Sequence, residues 1–91
     1  MSFILKEMEH ENEYGRRVYR KLLYFSERGQ AVHFTASETG AFYNGIILDL
    51  NEDKLTMVLK EFKFGEIPFL LEDINEDSIA AYTSKKEEEE K

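Results

Sequence analysis

Ninety-one residues without a cysteine make one domain whose core lies near the lower limit of independent stability, and they leave no thiol for catalysis, redox chemistry or stapling. The formal net charge of −7 disfavours a general nucleic-acid coat, because non-specific affinity for phosphate comes from Lys and Arg displacing counterions. No apolar run approaches membrane-spanning length and the head of the chain lacks the form of a secretory signal, so the expected protein is soluble and cytoplasmic, with no membrane attachment.

The average charge hides a segregation. From Tyr14 to Gly29 the bases Arg16, Arg17, Arg20, Lys21 and Arg28 face one acid, Glu27, whereas from Gln30 to Thr83 only Lys54, Lys60 and Lys63 stand against ten acids. A cationic element on an anionic body suits either an anionic ligand at one surface or contact between copies of the chain.

In chain order, 1–13 (MSFILKEMEHENE) sets a short apolar head before alternating Glu7, Glu9, Glu11 and Glu13, a pattern expected of a flexible acidic arm. His10 within it lacks the converging ligands that a metal requires, so no metal is expected. A helix is expected over 14–28: Tyr14, Val18, Leu22 and Phe25 recur at helical spacing, with Tyr19 and Leu23 widening the stripe. Asn12 suits the N-cap, Gly29 the C′ position, and Arg28 the last turn.

The period then becomes two. AVHFTA sets Val32 and Phe34 on one face and His33 and Thr35 on the other, and SETG forms a turn. Ala41 to Leu50 is a long strand carrying Gly45; such a glycine marks a bend, a bulge or a close backbone approach, and the small sheet is expected to curl on itself there. After the polar turn Asn51-Glu52-Asp53-Lys54 comes KLTMVLKEF, with Leu55, Met57 and Leu59 alternating, then a hairpin at Lys63-Phe64-Gly65-Glu66. IPFLLEDI follows, with Pro68 marking a strand that begins at an edge or is offset there, and a short turn at Asn75-Glu76-Asp77 leads to SIAAYT. The tail 84–91, with no apolar residue, is expected to be disordered. There is no GxSxG or HExxH spacing and His33 has no catalytic partner, so neither an enzyme nor a cofactor is expected.

One helix before five short, bent strands is the pattern of a small SH3-like barrel, here mostly β with the helix over 14–28 and the barrel over 31–83. On FYNGIILDLNEDK, on the short NED turn before the last strand, and on Ile79 and Tyr82, the chain over 14–83 resembles the Sm and Sm-like proteins. VHFTASETGAFYNG is similar to the corresponding segment of the Sm-like Gemin proteins of the SMN complex. The resemblance implies copies joined by pairing the fourth strand of one with the fifth of the next, in a ring of about six or seven. It also implies single-stranded RNA at pore-side turns. Asn51 matches the acidic or amide position of the turn after strand two, while Lys54 and Leu55 stand where an apolar or stacking residue and an asparagine are usual. Asn75, Glu76 and Asp77 occupy the family's arginine-glycine-acid triplet, where only Asp77 fits. The candidate RNA contacts are therefore Arg16, Arg17, Arg20 and Lys21 on the helix, with Asn51, Asp53, Lys54, Asn75 and Asp77 on the turns. Two functions stand open: an RNA-binding ring, and a structural module that engages other proteins through its strand edges and lacks a standard RNA pocket.

Overall fold

The computed structural model describes residues 2–83, and the side chains of 13–83. The chain forms one helix, α1 (Ser2–Glu27), and five strands: β1 (Val32–Thr35), β2 (Phe42–Asn51), β3 (Thr56–Glu61), β4 (Gly65–Leu70) and β5 (Ala80–Ala81). Two 3₁₀ turns, Leu71–Asp73 and Glu76–Ser78, lie between β4 and β5. The charged tail over 84–91 lies outside the described residues.

α1 begins at Ser2 rather than at the Asn12 cap. The segment expected as an arm carries Leu, Lys, Met and Glu, all good helix formers, and no Gly or Pro interrupts it before Gly15. At the other end Gly29 adopts φ +63°. The Gln30 amide donates to the Phe25 carbonyl (3.0 Å) and the Gly29 amide to Ser26 (3.1 Å), a left-handed glycine cap as the sequence indicates. Val18 and Leu22 are fully buried, with Tyr14, Tyr19 and Phe25 packed around them.

The strands form one antiparallel sheet in the order β4-β3-β2-β1-β5. The sheet is open. β4 and β5 are its two edges, where a closed barrel was expected. Val32 and Phe34 of β1, Ile47 of β2 and Met57 and Leu59 of β3 point into one core with Leu71 and Ile74, and α1 covers it.

Gly45 is where strand and backbone come closest. It is buried against β3, and an ideal Cβ there would stand 2.8 Å from the Lys60 carbonyl carbon, so only glycine fits. A second irregularity follows: the β2–β3 register shifts between Ile47 and Asp49. This bulge at Leu48 reverses the inward phase, so that Ile47 is buried before it and Leu50 packs on the core after it, while Ile46 and Leu48 turn outward.

Pro68 lies opposite Val58 on edge strand β4. The Leu71 amide donates to the Leu55 carbonyl at 2.9 Å, and alternation from that bond turns the backbone nitrogens of 66, 68 and 70 away from β3. Pro68 thus removes no ladder bond. β4 stops at Leu70 although the apolar alternation continues, because Leu71 drops into the core through a 3₁₀ turn.

Candidate functional site

The helix presents its basic residues to both turns that the sequence singles out. Arg16 shares one surface hollow with Glu52, Asp53 and Leu55, beside the turn after β2. One helical position later, Arg17 Nε lies 3.2 Å from Glu76 Oε1 and 3.3 Å from Oε2. Lys21 Nζ lies 3.6 Å from Glu76 Oε2 and donates to the Glu76 carbonyl at 3.4 Å. Arg20 is exposed on the same helix.

Two close contacts hold the helix in this position. The Tyr14 hydroxyl donates to the Ile74 carbonyl at 2.6 Å and accepts from the Glu76 amide at 3.0 Å, tying α1 to the last turn. Gly15 is buried against Leu55, whose Cδ1 would stand 2.7 Å from a Cβ at that position. Leu55 itself has φ +54°, a left-handed conformation uncommon for a leucine. An asparagine adopts that conformation more readily.

The turn asparagines have local duties. Asn51 Oδ1 accepts from the Lys54 amide at 2.9 Å, and Asn75 Oδ1 accepts from the Asp77 amide at 3.1 Å, capping the short 3₁₀ turn. Asp53, Lys54 and Asp77 are exposed. The structure therefore gathers Arg16 with Asp53, and Arg17 and Lys21 with Glu76, while Asn51 and Asn75 spend an oxygen each on their own backbone. Glu76, which engages two of the four candidate cations on the helix, was not among the candidate contacts; its place in the last turn, one residue before Asp77, was the available signal.

A second constellation lies at the far ends of β2 and β3 from the 51–54 turn, and sequence reasoning missed it. Glu61 is only 5% exposed. Its Oε1 accepts from the Lys63 amide (2.7 Å) and the Phe64 amide (2.9 Å), and its Oε2 from the Asn44 amide (3.1 Å). Burial by itself raises the carboxyl pKa, but the three amides and the nearby Lys63 charge outweigh it and hold the group below its ordinary value. Around it, Phe42, Phe62 and Phe64 are 67%, 54% and 69% exposed. Phe62 packs on Tyr82 with ring centres 5.5 Å apart, and Phe42 stacks on His33 at 5.4 Å. The readable signal was the FKF triplet: two phenylalanines in a hairpin tip that chemistry usually fills with polar residues.

Among the described residues no group of three His, Cys, Asp or Glu side chains is arranged to hold a metal ion. No helix among them is long and apolar enough to cross a membrane. The chain matches no protein-family model, no curated protein and no solved structure.

Proposed function

We propose that this chain is an assembly module of the Sm-like kind, whose copies join head to tail by pairing β4 of one with β5 of the next. The observation that carries this reading is the open sheet with β4 and β5 as its two edges. The outward backbone groups of Glu66 and Leu70 on β4, and of Ala81 on β5, are donors and acceptors that an added strand would satisfy. Leu70, 49% exposed on that edge, adds apolar surface to the same seam. Unlike edges that meet head to tail generate a ring when the rotation between copies closes.

Proline at Ala81 tests the seam. The Tyr82 amide donates to Ala31, and alternation turns the Ala81 amide away from β1, so Ala81→Pro deletes an edge donor without touching the internal ladder. The variant should sediment as a smaller species than wild type, and identical sedimentation of the two would contradict edge pairing.

RNA binding is the second reading, favoured by one observation: Arg16 lies beside the turn after β2, and Arg17 and Lys21 lie beside the last turn. Against it, Glu76 already engages Arg17 and Lys21. Oligouridylate and oligoadenylate titrations at two salt concentrations decide between a bare module and an RNA-binding one. Binding that weakens steeply with salt and is lost in the Arg16→Glu, Arg17→Glu double variant supports RNA.

A further inference from the structure

Among the described residues, the large apolar side chains left exposed are Tyr24 on the helix and Phe42, Ile46, Leu48, Phe62, Phe64 and Leu70 on the sheet and its hairpin. Three of them converge. Phe42, Phe62 and Phe64 wall a cleft of about 360 Å³, together with Tyr82, and Asn44 and Glu61 also line it. Contacts frame the cleft: Phe42 stacks on His33, Phe62 packs on Tyr82, and the Glu61 carboxylate accepts from the Asn44, Lys63 and Phe64 amides. His33 Nδ1 and Asn44 Oδ1 lie 2.7 Å apart, which fixes the amide beside the cleft.

We infer that this cleft binds a weakly hydrated cation, the trimethylammonium group of a methylated lysine on a basic partner peptide. Aromatic faces carry negative quadrupole density, and quaternary ammonium groups exchange water for such faces at low cost because they donate no hydrogen bond. An unmodified ammonium holds its water more strongly. Charge complementarity selects a cation over a stacked nucleobase. A nucleic-acid strand would bring phosphates onto a body that carries ten acids against three lysines between Gln30 and Thr83, whereas a basic peptide brings the opposite charge. Lys63, at the cleft wall, is the one opposing charge in the lining. It sits on the exposed hairpin, where its long side chain can turn to water. This inference does not rest on ring assembly, because it uses side chains and not the backbone edges, although Phe64 and Tyr82 adjoin edge strands β4 and β5.

The experiment titrates the full chain with three forms of one short Ala/Lys-rich peptide. One carries a trimethyllysine, one the unmodified lysine, and one a neutral isostere with carbon in place of the quaternary nitrogen. The trimethyllysine form should bind about tenfold more tightly than either other form. Phe64→Ala, at a highly exposed position that the fold does not depend on, should abolish that preference, and Lys63→Met should strengthen binding. Equal affinity for the cation and its isostere overturns the inference, as does absence of binding by a folded wild-type chain. Oligouridylate binding lost in Phe64→Ala, without cation binding, would reassign the cleft to nucleobases. A native mass that falls in Phe64→Ala, again without cation binding, would reassign it to self-association.

Discussion

Gly45 lies under the backbone of Lys60: a β-carbon at Gly45 would stand 2.8 Å from the Lys60 carbonyl carbon and 2.9 Å from the Glu61 Cα. The neighbour is main chain held by a strand ladder, so it cannot step aside as a side chain would. Gly45→Ala should therefore destabilise the domain by about 1–3 kcal/mol, read as a lower urea midpoint. An unchanged midpoint would show that β2 and β3 separate freely at this point.

Glu61 predicts an acid limit to stability. Its carboxyl pKa is lowered in the folded state, so its contribution is complete above the ordinary glutamate value of 4.5 and disappears as pH falls through the lower folded value. Melting temperature should drop over that acid window in wild type. Glu61→Gln, which keeps the shape but loses the charge, should flatten that dependence and cost about 1–3 kcal/mol at neutral pH. Parallel pH profiles for the two proteins would contradict the role given to the carboxylate.

Tyr14 joins the helix to the last turn through both a donated and an accepted bond. Tyr14→Phe leaves the ring in place and removes both, at a cost of about 1–2 kcal/mol. Hydrogen exchange should show the effect concentrated at the Glu76 amide, which loses its acceptor.

Glu76 separates stability from binding. Its pairs with Arg17 and Lys21 involve cations nearly half exposed, a class worth less than about 1 kcal/mol, so Glu76→Gln should barely alter melting. On the RNA reading the same change frees two cations and raises oligouridylate affinity, by an amount that shrinks with salt. Unaltered affinity at low salt would remove the helix face from that reading.

What the sequence made legible was mostly local. The Val18–Leu22 stripe, the Gly29 cap, the Val32/Phe34 alternation and the placement of Pro68 on an edge each depend on residues a few positions apart, and each is found in the structure. Gly45 was legible as the bend of the sheet, with a close approach among the alternatives; the structure shows the close approach there, and the register shift falls at Leu48, which no residue type announces. Leu71 continued the alternation of β4 and yet left the strand, because the core claimed it from a turn. Contacts distant in sequence were hidden for the same reason. Nothing near Glu61 says that the Asn44 amide will reach it, and nothing near Arg17 says that Glu76 will meet it.

Head-to-tail assembly through β4 and β5 is most directly tested by native mass from light scattering across protein concentration and salt. The predicted result is a stable species several times the 10.7 kDa chain, reduced in Ala81→Pro. A concentration-independent mass of one chain would contradict the account.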